Sequence, residues 1–111
     1  MRMEKQRRLQ LVLKPGNPPL PASCRVDEVL TLVTVLEVEN CDKCDVVLVY
    51  DSNVFEPKDT PASVTLGPGS HQRELEWKLL ALTSTKSTWV RVTAISDGVE
   101  RTTGLPVEVV A

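Results

Sequence analysis

Aromatic side chains are almost missing from this chain: its 111 residues include two tryptophans, one tyrosine and one phenylalanine. A core of this size cannot be built around stacked rings, so Val and Leu must fill it. Nor does any apolar run approach the roughly 20 residues needed to span a bilayer. Net positive charge is lacking as well. At −2 overall, the chain is poorly suited to general nucleic-acid binding. Histidine occurs once, at His71, and no nucleophile signature such as G-x-S-x-G is present. A triad would need a nucleophile, a base and an orienting acid, so the sequence predicts a protein that is not an enzyme.

What remains is ordinary for a folded domain. Hydrophobic residues make up 41% and charged residues 25%. A chain of this length forms one domain and buries about two-thirds of its unfolded surface without needing staples. The charge is unevenly spread. Residues 1–25 carry six basic side chains (Arg2, Lys5, Arg7, Arg8, Lys14, Arg25) against Glu4, while the rest holds seven basic and fourteen acidic ones. Residues 1–8 are expected to form a basic N-terminal arm, and residues 9–111 the domain. The apolar part of the N-terminal stretch, Leu9 to Leu13, is interrupted by Gln10 and is too short for a signal-peptide core.

Two-residue alternation dominates the chain. Leu9, Leu11 and Leu13 alternate with Gln10, Val12 and Lys14, predicting a first strand. Residues 15–21, PGNPPLP, contain four prolines and predict an extended crossing segment between strands. Across residues 26–39, Leu30, Leu32, Thr34, Leu36 and Val38 share one face. Val29, Val33, Val35, Glu37 and Glu39 share the other, and the β-branched content favours strand over helix. A turn is predicted over residues 40–45, a short strand over 46–51, a loop over 52–61 and a strand over 62–66. A Gly-Pro-Gly-Ser turn follows, with His71 in an exposed loop.

Residues 72–82 are ambiguous. Leu75, Trp77, Leu79 and Ala81 alternate with Glu74, Glu76, Lys78 and Leu80, yet Leu75, Leu79 and Leu82 also fit a helical stripe. Strand is preferred because both neighbours are strands. Residues 88–96 alternate through Val90, Val92 and Ala94, and Asp97-Gly98 is a strong hairpin turn. The last strand contains Pro106, which lacks an amide donor and predicts an edge or a bulge. The fold class is therefore all-β: an immunoglobulin-like sandwich of about seven antiparallel strands.

Few residues stand out from this pattern. Cys41 and Cys44 form a C-x-x-C. With Cys24 and His71 they would supply the three thiolates and one imidazole of a tetrahedral zinc site. A disulfide among the three cysteines, or free thiols, are the other readings, and no cofactor is the leading expectation. Glu37, Glu39, Asp42 and Asp45 crowd one turn without the regular spacing of a calcium loop, and are read as a solvated strand end. Trp89 is out of register with Val90, Val92 and Ala94. If those point inward, Trp89 and Arg91 point outward, where they could contact a protein or a carbohydrate.

Residues 30–110, about three-quarters of the chain, resemble prokaryotic Ig-like modules of the CARDB type and NPCBM-associated Ig-like domains. A long strand ends in Val38-Glu39-Asn40, followed by the alternating residues 46–50, VVLVY. Leu66 to Ser70, LGPGS, leads into residues 74–79, ELEWKL. Val90 to Gly98 form a V-x-V-x-A-x-S-D-G strand and turn. The family turn is usually Gly-rich; here it is Cys41-Asp42-Lys43-Cys44. The cross-sheet disulfide and tyrosine corner of antibody-like domains are missing, Tyr50 being the only tyrosine and lying elsewhere. A second resemblance, to major-sperm-protein and PapD-like sandwiches, rests on Phe55 to Pro57 and Leu66 to Gly69. The first resemblance implies a structural, adhesion or binding accessory domain beside other domains, at a cell surface or outside the cell. The second implies an intracellular or periplasmic domain that binds a partner's peptide.

Overall fold

The computed structural model describes residues 8–111, so the expected basic arm lies, apart from Arg8, outside the described residues. These contain no helix. They form nine strands: β1 (Leu9–Leu13), β2 (Ala22–Arg25), β3 (Val29–Cys41), β4 (Cys44–Val49), β5 (Phe55–Pro57), β6 (Ser63–Leu66), β7 (Gly69–Ala81), β8 (Thr85–Ser96) and β9 (Val99–Val110). A four-stranded sheet, in the order β1-β3-β7-β5, faces a five-stranded sheet, in the order β2-β9-β8-β4-β6. The sandwich class is as the alternation predicted. The strand count is nine rather than seven, and one pair, β2 with β9, is parallel.

The two additional strands have a common explanation. β2 and β5 are four and three residues long, too short to show alternation; β2 follows Pro21 and β5 ends on Pro57. Both belong to segments that change sheets. The chain leaves β1 on the four-stranded sheet, crosses through the Pro-rich residues 15–21 and joins the other sheet as β2. Residues 58–62 make the same kind of crossing on the opposite side, between β5 and β6. Each side of the sandwich is thus partly covered by one strand segment on each sheet.

The ambiguous segment at residues 72–82 is strand up to Ala81, and β7 pairs with β3 from Val29↔Leu80 to Val38↔His71. Parity along both strands then decides burial. Leu30, Leu32, Leu36 and Val38 on β3, with Trp77, Leu79 and Ala81 on β7, face Val46, Leu48, Val90, Val92, Val107 and Val109 of the other sheet, and all are buried. Among them Trp77 is the largest side chain, 1% exposed. Its indole Nε1–H donates to Thr34 Oγ1 at 2.9 Å, and the Thr34 hydroxyl donates on to the Leu75 carbonyl at 3.4 Å. The one polar side chain inside the four-stranded sheet therefore has both of its hydrogen-bonding roles filled.

Pro106 was expected at an edge or a bulge. β9 is instead flanked by β8 along its length and by β2 over Val107 to Val110. Proline is tolerated because β2 begins to pair only at Ala22↔Val107. Residue parity places the missing N–H on the side away from β8, where no strand reaches among the described residues. β9 is thus an internal strand in its last four residues and a sheet edge over residues 99–106.

Thr34→Val keeps the shape of the side chain and adds apolar surface, but leaves the Trp77 N–H without an acceptor. It is expected to lower stability by about 1–3 kcal/mol in urea denaturation; an unchanged or higher midpoint would show that the hydrogen bond contributes nothing.

Candidate functional site

The cysteines and His71 do not converge. Cys44 pairs with Ser96, which pairs with Val99, whereas Cys24 pairs with Val109. Ten strand residues along β9 separate the two levels, roughly 33 Å at about 3.3 Å per residue. Cys24 can therefore neither bridge to the turn cysteines nor share a metal with them. All three cysteines are free thiols, and among the described residues no cluster of three or more His, Cys, Asp or Glu is arranged to hold a metal ion.

At the turn, β3 ends on one sheet and β4 begins on the other, so Cys41 and Cys44 flank a crossing between layers, both buried. The Cys41 thiol donates to the Gly69 and Gly67 carbonyls at 3.3 and 3.7 Å. His71 lies in β7 rather than in an exposed loop, because Gly69 already pairs with Cys41 and starts the strand. Its Nε2–H donates to the Gly67 carbonyl at 2.7 Å. Thiol and imidazole together pin the Leu66–Gly69 turn, which is structural work. Burial pushes the Cys44 thiol up to about 11, helped by the neighbouring Cys41, Asp45 and Asp97. Cys24 is raised by burial and by Glu28. Neither thiol has the lowered pKa of a reactive cysteine.

The acidic group also separates. Glu37 belongs to the outer face of the four-stranded sheet and Asp45 to that of the five-stranded sheet, facing opposite ways. Asp45 is held by Thr65 Oγ1 at 2.8 Å and by Lys43 Nζ at 3.4 Å.

Trp89 and Arg91 are brought together. Val90, Val92 and Ala94 point inward and are fully buried, so Trp89 projects from the outer face of the five-stranded sheet, 50% exposed. Arg91 follows two residues later on that face, its guanidinium carbon 4.9 Å from the Trp89 ring centroid. This cation–π contact contributes about 0.5–1 kcal/mol at such an exposed position. Two residues that the sequence did not assign to the site complete the arrangement. Pro106 stands opposite Trp89, and Gly104 opposite Arg91. A Cβ at Gly104 would lie 2.5 Å from the Val90 carbonyl oxygen and 2.8 Å from Arg91 Cγ. Glycine here lets Arg91 lie down against the sheet. Counting back from the Asp97-Gly98 hairpin gives both pairings, so the signal was present in the sequence. On the other flank Val49 stands opposite Arg91, itself 47% exposed.

No family model matches the sequence, and no curated protein does either. Solved structures show the likeness in fold. A CARDB domain from Pyrococcus furiosus, solved in complex with di-metal ions, superposes with a TM-score of 0.59 at 15% identity, covering 98% of each chain. Two Caenorhabditis elegans proteins are weaker neighbours. SSP-19, an MSP-domain protein like family member, gives a TM-score of 0.47 at 15% identity over 82% of this chain and 95% of its own. WR4, an MSP family member, gives 0.45 at 8% identity over 93% and 96%.

Two outcomes follow. Because the unfolded Cys44 thiol ionises near 9.0 and the folded one near 11, the unfolded chain releases its proton first, and stability falls as pH rises through that interval. Native-state alkylation of Cys44 should be slow at neutral pH and accelerate toward pH 11; rapid alkylation at pH 7 would contradict its burial. Gly104→Ala should lower stability by about 1–3 kcal/mol and lift Arg91 off Trp89, read as a lower urea midpoint with greater acrylamide quenching of Trp89. An unaltered midpoint would mean that the Val90–Arg91 backbone yields freely.

Proposed function

We propose that this chain is a non-enzymatic Ig-like structural and binding module, an accessory or adhesion-type domain of a larger surface or secreted protein. Its partner, a protein or a carbohydrate, is met by Trp89 and Arg91. The observation that carries this reading is the half-exposed Trp89 on the outer face of the five-stranded sheet, beneath an arginine that a glycine accommodates. Large aromatics and arginine are the side chains that most often anchor an interface. The likeness in fold to a CARDB domain agrees with a module of this kind.

Chain direction supports an in-line spacer. Leu9 lies level with Val38, near the Cys41–Cys44 crossing, whereas Val110 lies level with Arg25 at the far end of β9. The described chain therefore enters at one pole of the sandwich and leaves at the other. Residues 1–8 would precede the domain as a basic arm, and residues 9–111 form the module itself.

A second reading, capture of a partner's peptide as an added strand, is favoured by the open edge of β9 over residues 99–106, with residue parity directing the backbone groups of Glu100, Thr102 and Gly104 away from β8. One experiment separates the two. The domain and its Trp89→Ala and Thr102→Pro variants are used to retain partners from extracts of the cells that express the protein. Trp89→Ala should reduce retention several-fold while costing about 1 kcal/mol or less of stability. A large stability loss with retention intact rejects the surface-anchor reading. Retention lost only in Thr102→Pro assigns binding to the strand edge.

A further inference from the structure

Resting on the reading that Trp89 and Arg91 meet a partner, we infer that the ligand group at this site is a carboxylate, presented by an extended protein segment between apolar side chains.

The state of Arg91 carries this. Among the described residues no carboxylate pairs with Arg91, nor with Arg25, Lys58, Arg73, Lys86 or Arg101; Arg91 differs from these in lying over an exposed aromatic ring. Its guanidinium is not loose, however. The guanidinium carbon lies over the Trp89 ring, 4.9 Å from the centroid, with the side-chain stem beside Gly104. The ring attracts the charge without accepting conventional hydrogen bonds, so the guanidinium N–H donors stay available. Those donors form a fork that matches two carboxylate oxygens. Fixing the side chain in advance lowers the ordering cost of binding.

The surroundings select the same ligand. The residues directly opposite Arg91 are Val49 and Gly104, and Pro106 stands opposite Trp89. None is an acid that would compete for the fork. Val47, Val49 and Ile95 are exposed on this face, and their low polarity strengthens a charge-assisted pair once water is displaced. A protein segment with aliphatic side chains on either side of its acid would cover them. A saccharide would instead stack on the indole, and the guanidinium already lies over that ring.

The test uses defined probes. Four are titrated separately into the nitrogen-15-labelled domain near physiological ionic strength: a heptapeptide with one central glutamate between valines, its glutamine counterpart, oligogalacturonate, and cellohexaose. The Trp89 indole N–H and the Arg91 Nε–H are followed. The glutamate peptide should move both resonances and bind about tenfold more tightly than the glutamine peptide. Arg91→Gln should abolish that preference. Arg91→Lys, which keeps the charge but loses the fork, should retain only a small part of it. Equal binding of the two peptides overturns the inference, as does an undiminished preference in Arg91→Gln. Saccharide binding that moves Trp89 without any peptide binding also overturns it, yet leaves the proposed binding face standing. If no probe moves either resonance the carboxylate assignment fails, and the Trp89→Ala retention experiment decides separately whether the face binds a partner at all.

Discussion

Everything in this domain depends on filling the space between two sheets with aliphatic side chains. With Trp77 and Phe55 as the only fully buried aromatics, no large ring system can absorb errors of packing, and Leu and Val must meet in register across the layers. A slip of one residue in β3 would carry Leu32, Leu36 and Val38 to solvent and bring Glu37 inside. Such a slip would also pull Thr34 away from Trp77. The Thr34–Trp77–Leu75 hydrogen bonds therefore do more than satisfy a buried indole: they link the register of β3 to that of β7, the longest pairing in the four-stranded sheet.

Register on the other sheet is set by the Asp97-Gly98 turn. Two residues in left-handed conformation join β8 to β9 in the geometry preferred by right-twisted strands. From Ser96↔Val99 onward each pairing follows as far as Thr88↔Val107. Trp89 and Arg91 owe their position to this turn, nine residues from Trp89 in the chain. One fixed register aims Val90 and Val92 into the core and, by the same alternation, aims Trp89 and Arg91 at solvent. Stability and the candidate site thus share a cause: the hairpin that buries one face of β8 composes the other.

Much of this was legible from residue pattern alone, because alternation is local. The inward set of β3, the strand nature of β7 and the outward direction of Trp89 all follow from counting by twos. Where reading failed, the deciding partner was distant. β2 is four residues, Ala22–Arg25, and becomes a strand only by bonding to the end of β9; β5 likewise depends on Leu79 to Ala81. His71 follows a Gly-Pro-Gly-Ser sequence that reads as a turn, and only its pairing with Val38 reveals a strand. Pro106 marks the edge correctly at its own position but not for the strand as a whole. For the thiols, spacing in sequence gave no warning that Cys24 lies at the opposite pole from Cys41 and Cys44. Gly104 was hidden differently: its use appears only once Arg91 is placed opposite it.

The way the sides are closed bears on where a partner can act. β1 and β2 share one side and β5 and β6 the other, each segment covering part of one sheet and then part of the next. Among the described residues, the half-covered sides leave residues 69–77 of β7 and residues 99–106 of β9 with a strand neighbour on one side only. An unguarded edge invites pairing with any extended chain. The first stretch carries Arg73, Glu74 and Glu76, and the second carries Glu100 and Arg101 and ends on Pro106, all of them features that discourage indiscriminate strand addition. The broad face of the four-stranded sheet is guarded too, since Lys14 pairs with Glu74 at 2.8 Å, Arg8 with Glu37 at 3.8 Å and Lys78 with Glu76 at 3.4 Å. By contrast the centre of the five-stranded sheet presents Trp89, Val49 and Pro106 around a single cation with no acidic neighbour in register. Ion pairs thus lie across the outer face of the four-stranded sheet, whereas the centre of the five-stranded sheet sets Arg91 among apolar side chains with no ion pair among the described residues. That difference between the two faces, rather than the exposure of one tryptophan, is what makes the outer face of the five-stranded sheet the place to look for a partner.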